Sequence, residues 1–339
     1  MVQISPLQPT PVGAFRFNTE TAHLEYYDGN QWVQLTSTSP EARTGGTRGI
    51  SMGGANPTNC NVIQYYNIST TGNAADFGDL SYKAGTASGC ASRTRGIYAG
   101  GEVAPQVNTI EYITIASLGN AADFGDISTG SNAHGFGCAA NSYRGLLLGG
   151  YLSPAKRNTI EYITIATTGN TVDFGDLITA RDSNTSVASP TRCVTMGGNA
   201  PGSSNIIEYV TISTLGNAAD FGDLSLASDN GGSCSNAIRG VHMGGEFPGV
   251  PPGNTMDYVT IATLGNASDF GDLVTAVFGN GGGAASPTRG VSAGGYTPTV
   301  TDMIQYIQFT TTGDAVDFGN LTAATGYLAT VSNGHGGLG

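Results

Sequence analysis

The chain has 339 residues, with 25 acidic and 13 basic side chains, a formal net charge of −12, 39% hydrophobic residues and 52 glycines. That balance excludes wholesale disorder, a collagen-type chain with Gly at every third position, and phosphate-backbone binding, which needs clustered Lys and Arg; no nucleic-acid partner is expected. No apolar run reaches the roughly 18–20 residues of a membrane span, and Met1-Val2-Gln3-Ile4-Ser5-Pro6 has neither the basic nor the apolar region of a signal peptide.

Taken in chain order, residues 1–40 come first and stand apart from everything that follows. Gly13 to Thr21 and Leu24 to Leu35 alternate in the manner of short strands, with Asp28-Gly29 as a hairpin turn and Trp32 as the anchor of a very small core. The pattern predicts a small β-meander, and Thr36-Ser37-Thr38-Ser39-Pro40 reads as a linker. The wording Phe15-Arg16-Phe17-Asn18-Thr19-Glu20-Thr21 and Leu24-Glu25-Tyr26-Tyr27-Asp28-Gly29-Asn30-Gln31-Trp32 resembles short modules of bacteriophage tail-fibre and other virion proteins. The resemblance implies attachment to other virion proteins, or oligomerisation, through this module.

Residues 41–339 repeat six times. Asp-Phe-Gly-Asp begins at Asp76, Asp123, Asp173, Asp220 and Asp269, and a sixth copy, Asp317-Phe318-Gly319-Asn320, closes the series at a period near 48. Arg48, Arg95, Arg144, Arg192, Arg239 and Arg289 are each followed five residues later by Gly-Gly. A segment of the type Asn108-Thr109-Ile110-Glu111-Tyr112-Ile113-Thr114-Ile115 recurs between these two landmarks in every unit.

Each unit reads as four short strands: a small-residue strand such as Ala87 to Ser92, one from Arg95 to Ala99 ended by Gly100-Gly101, the β-branched Asn108–Ile115 segment, and one centred on Phe124. No stretch sustains an apolar period of 3.6, so helix is not expected. A unit of this kind cannot cover its own sheet, and six at this period predict an all-β, six-bladed β-propeller with the small-residue strands at the axis. Residues 326–339 resemble an extra first strand and are expected to close the ring on the blade at Arg48. Hydrophobic residues ending in Gly-Gly, a Glu-Tyr strand and a downstream aromatic resemble the kelch motif of galactose-oxidase-type propellers, with Phe77, Phe124, Phe174, Phe221, Phe270 and Phe318 where kelch repeats usually carry Trp.

The chemistry-bearing residues read as architecture. Asp-Phe-Gly matches the magnesium motif of protein kinases, but it occurs six times without a His-Arg-Asp loop or a strand lysine. The up-and-down order places each Arg at the same end of its blade as Asp76, Asp123, Asp173, Asp220, Asp269 or Asp317, and predicts a belt of ion pairs and Asp-to-backbone bonds. His134 and His335 sit in similar wording, expected in first strands near the axis as hydrogen-bonded structural residues. The five cysteines lack Cys-x-x-Cys spacing and read as reduced thiols. No copper centre of the oxidase type can be assembled, so no enzyme activity, metal or cofactor is expected.

From Arg to motif Asp the units differ only between Gly-Gly and the third strand, in the loops Ala55–Cys60, Glu102–Val107, Tyr151–Arg157, Asn199–Ser204, Glu246–Gly253 and Tyr296–Thr301. These loops open on the same face as the blade-to-blade connections. They carry the candidate binding residues Tyr151, Lys156, Arg157, Glu246, Phe247 and Tyr296. The expectation is a virion structural protein, a tail fibre or similar appendage, whose propeller recognises a host surface glycan or protein. The alternative is a passive decoration or assembly component that uses the propeller as a protein platform.

Overall fold

The computed structural model describes residues 10–18, 23–34, 47–103, 107–128, 130 and 133–338. The linker Thr36–Pro40 and the loop residues Ala104, Pro105 and Gln106 lie outside them. Two compact units divide the chain at residue 45.

The first unit is a three-stranded antiparallel sheet of Phe15–Asn18, His23–Tyr27 and Trp32–Gln34. Asp28 forms its turn by accepting from the amides of Asn30 and Gln31, both at 2.8 Å, with Gly29 at φ +101°. Those two amide donors hold the Asp28 carboxyl below the usual range. On one face Arg16 lies 4.3 Å from the Trp32 ring and donates to Glu25 at 2.8 Å. The strand register puts Phe15, Phe17 and Leu24 on the other face, where they are exposed.

Among its described residues the second unit is built of β-strands, with one 3₁₀ turn, Gly336–Leu338. It contains six four-stranded antiparallel sheets, each in the order first, second, third and fourth strand from one edge to the other. In sheet 2 these are Ser88–Ala91, Arg95–Ala99, Thr109–Thr114 and Ala122–Asp126. Sheet 1 takes its first strand from the end of the chain: Ala329–Ser332 pairs antiparallel with Arg48–Met52, ahead of Val62–Asn67 and Ala75–Asp79. The first strands of sheets 3 to 6 are Gly137–Ala140, Thr185–Ala188, Gly232–Ser235 and Gly281–Ala285. Each first strand lies against those of the sheets before and after it, and that of sheet 6 lies against Ala329–Ser332.

Three devices join consecutive sheets, the first two repeated six times and the third five times directly and once through a threonine hydroxyl. First, every repeat Arg donates to a main-chain carbonyl of the next sheet: Arg48 to Ile115, Arg95 to Ile165, Arg144 to Ile212, Arg192 to Ile261, Arg239 to Phe309, and Arg289 back to Ile68, at 2.6 to 3.2 Å. The same guanidinium sits 4.4 to 4.8 Å over the Tyr of its own third strand, and that Tyr meets the motif Phe edge-on, as in Arg95, Tyr112 and Phe124.

This corrects the expected ion-pair belt. Among the described residues no ion pair joins a repeat Arg to a motif Asp, and Asp76, Asp123, Asp173, Asp220, Asp269 and Asp317 are exposed. The third strand lies between Arg and Asp, so about two strand spacings of 4.8 Å separate them. The cation turns instead to the nearer ring and carbonyl.

The second device explains the rest of the motif. The turn Gly119-Asn120 of sheet 2 lies against the fourth strand of sheet 1: Gly119 N donates to Phe77 O, and Asp79 N to Asn120 Oδ1. The matching contact in sheets 2 and 3 shows why the motif needs glycine, since a Cβ on Gly125 would lie 2.5 Å from the Gly169 carbonyl. The third device is the acid or amide of the Glu-Tyr strand, which accepts from the preceding sheet: Gln64 from Thr322 N, Glu111 from Ser81 N, Glu208 from Ile178 N, Asp257 from Ser225 N and Gln305 from Thr275 N. Glu161 accepts from Thr171 Oγ1, which itself accepts from Ser128 N.

Candidate functional site

The first strands are built from Gly, Ala, Ser, Cys and Thr with single valines, and they leave a bore between them. Its wide part is a cavity of about 420 Å³, and a pinched space of about 30 Å³ follows, walled by Cys90, Ala139, Val187 and His335 among others. The far end is covered by the chain's own tail. His335 Nε2 donates to Ala91 O at 2.7 Å, its Nδ1 accepts from Gly337 N, and Arg93 Nη2 donates to Leu338 O. Gly336 and Gly337 fit against the main chain of Ala140, Ala188 and Asn236 so closely that no Cβ has room there. The cavity is therefore open at one end only, the end that carries the variable loops.

Six connections between sheets form the mouth. In each, one residue adopts a left-handed conformation: Thr86, Gly135, Ser183, Asn230, Gly279 and Tyr327, with φ between +52° and +65°. They are chained by main-chain bonds from Gly135 N to Thr86 O, Ser183 N to Gly135 O, Asn230 N to Ser183 O, Gly279 N to Asn230 O and Tyr327 N to Gly279 O, at 2.6 to 3.0 Å. The residue before each forms a bridge with the residue after the next Gly-Gly pair. The six pairs are Gly326 with Ala55, Gly85 with Glu102, His134 with Tyr151, Asp182 with Asn199, Asp229 with Glu246, and Phe278 with Tyr296. The backbone of the mouth thus repeats six times while its side chains do not.

Those side chains divide into sectors. Phe278 stacks on Tyr296 at 5.5 Å, and Tyr327 lies 5.1 Å from Tyr296. Burial, followed by nearby acids, raises the Tyr327 hydroxyl to about 12. In the acidic sector Asn230 Nδ2 donates to both Asp229 and Glu246, and Ser203 Oγ donates to Asp229. Burial, with Glu246 next to it, lifts the Asp229 carboxyl to about 6.

Of the candidate binding residues, Tyr151, Glu246 and Tyr296 are mouth-pair members. Lys156 is tied down: Nζ donates to Asn199 O at 3.0 Å and Ala200 O at 2.7 Å, and lies 3.5 Å from Asp182. Arg157 donates to Thr159 Oγ1. Phe247 pairs with Val250 in sheet 5, where the second strand runs through Gly244-Gly245 as Arg239–Phe247 instead of stopping there. In sheets 1, 3 and 6 the variable loops are two-stranded hairpins, each strand two residues long, rather than open loops.

His134 and His335 do not meet. His134 precedes the first strand of sheet 3 at the mouth, with its ring 5.4 Å from Tyr151, whereas His335 follows the first strand of sheet 1 at the covered end. Similar wording falls on opposite ends of a strand because residues flanking it on either side both need small, turn-forming neighbours. Sequence reading missed Asp229, Asn230, Phe278 and Tyr327. Their signal was positional, eight or nine residues after the preceding motif Phe, in connections that carry no shared residue type.

All five cysteines are free. Among the described residues no three His, Cys, Asp or Glu side chains converge on a metal-sized site, and no helix is long and apolar enough to cross a membrane. No family model matches the chain, and no curated protein matches its sequence.

Proposed function

We propose that the six sheets are the blades of a kelch-like β-propeller, and that the chain is a bacteriophage virion structural protein whose propeller displays its mouth to a host surface glycan or protein. The cyclic order of the Arg-to-carbonyl bonds supports the ring. The observation that carries the functional reading is the mouth itself, where a strictly repeated backbone presents six different side-chain pairs around a cavity closed at its far end. An architectural rim would repeat its side chains as it repeats its backbone, as the Arg, Tyr and Phe stack does. The exposed Phe15, Phe17 and Leu24 of the N-terminal sheet support a role in attachment to other virion proteins or in homo-oligomerisation.

The test is attachment of the purified chain to host cells, compared with variants at Glu246 and Tyr151 on the mouth and at Asp173 on the opposite face. Loss at the mouth alone supports display; equal attachment by all variants overturns it. The second reading, a passive decoration component, draws on the same apolar N-terminal residues. Gold-labelled particles separate the two, since a receptor binder sits distally on the tail and a decoration protein sits on the capsid or neck.

A further inference from the structure

We propose that the axial cavity is a binding site for the terminal one or two rings of a neutral saccharide chain, a site that deepens the receptor-display reading and rests on it.

The cavity has the size of small-ligand sites, a few hundred Å³. Since its far end is covered by His335 to Leu338, a chain enters only by its end. No Lys or Arg lines it, while Glu102 and Asp182 do, so an anionic ligand meets no counter-charge. Beside the apolar Phe136 and Leu328, hydroxyl and amide groups come from Ser88, Ser183, Asn184, Asn230, Asn280 and Thr330. One side of the mouth is the Tyr296 and Tyr327 pair, two amphipathic rings that offer an apolar face to sugar C–H groups and a hydroxyl to sugar oxygens.

A further observation points to an occupant. The mouth also holds non-glycine residues in the left-handed region, including the β-branched Thr86 at φ +52° and Tyr327 at φ +55°. Strain of this kind persists where the surrounding structure fixes it for use. The chain of five main-chain bonds from Thr86 to Tyr327 fixes the backbone of the mouth, and its side chains are what differ from one sector to the next.

The test is titration calorimetry and saturation-transfer NMR of the full chain with free glucose, galactose, mannose, N-acetylglucosamine and their disaccharides, alongside host-cell attachment. At least one saccharide is expected to bind, at least tenfold more weakly to Tyr296→Ala and Asn230→Ala, with Asp173→Ala unchanged. Melting curves verify that each variant is folded. Absence of millimolar binding by every saccharide overturns the site, as does equal binding by the folded Asn230→Ala and Tyr296→Ala chains. Host attachment without saccharide binding overturns the site and leaves display standing. Saccharide binding without attachment overturns display and leaves the site standing.

Discussion

Arg144 illustrates how one side chain serves two sheets: it covers Tyr162 in its own and donates to Ile212 O in the next at 2.9 Å. Its guanidinium is not paired with Asp173, so the two substitutions separate. Arg144→Ala is expected to cost about 1.5–3 kcal/mol, the worth of a hydrogen bond to a charged group, whereas Asp173→Ala is nearly neutral; equal losses in denaturant melts would restore the ion-pair belt. Arg181 and Glu208, both fully buried, lie 3.4 Å apart. Burial lowers the Arg181 pKa, and Glu208 opposes that shift. Arg181→Val alone strands a buried carboxylate and is expected to cost about 3–5 kcal/mol. Arg181→Val with Glu208→Gln reproduces the Val277 and Gln305 pair of sheet 6 and is expected to recover most of that loss in the same melts.

His242 belongs to the residue scale too. It is buried between Thr185 Oγ1 and Ser228 Oγ, both at 3.0 Å, and burial depresses its pKa to about 4. The unfolded chain takes up the proton near pH 6.5 and the native chain only near pH 4. Stability is therefore intact above pH 6.5 and falls as the pH drops toward 4. His335, also depressed to about 4, adds to the same slope, while Asp229, raised to about 6, opposes it. Denaturant midpoints for His242→Gln are expected to fall less steeply between pH 6.5 and 4 than those of the parent; an unchanged slope refutes the assignment.

At the scale of elements, the first strands and the second strands are made differently because they do different work. The first strands crowd together edge by edge, so Gly89 and Gly137 have a neighbouring strand where a side chain would go. The second strands carry the large buried residues, such as Ile50, Ile97, Leu146 and Leu148, into the layers between sheets. The six strand sets were readable from the repeated wording, since β-branched runs end at Gly-Gly and restart after a variable stretch. The continuation of Arg239–Phe247 through its glycines was not readable, because Gly244-Gly245 is identical to the pairs that do end strands. Pairing of Phe247 with Val250 across a tight turn decides that difference, and no other unit carries Phe at the Phe247 position.

For the whole molecule, the element that closes the structure is the last strand. Ala329–Ser332 supplies sheet 1 with its first strand, and Ser332 Oγ accepts from Ala285 N in sheet 6. A chain ending at Thr325 leaves open edges on both sheets and removes the cover of the bore. It is expected to unfold in a broad transition well below the parent's, and a peptide of residues 326–339 added in trans is expected to sharpen and raise it. A melting curve unchanged by the truncation would show that closure contributes nothing.

The sequence by itself determined the repeat, the strand order and the strand that completes sheet 1, because each follows from spacing, composition or local propensity. It also singled out the repeat Arg, but only the tertiary structure decided what that Arg holds, since a carbonyl of the next sheet leaves no mark in the sequence. The mouth was decided in the same way. Its six residue pairs come from positions in neighbouring units, and each is followed by a residue in a backbone conformation that Thr, Gly, Ser, Asn and Tyr all adopt once the sheets are packed. The mouth residues share no wording, and so the rim became legible only when the fold brought its parts together.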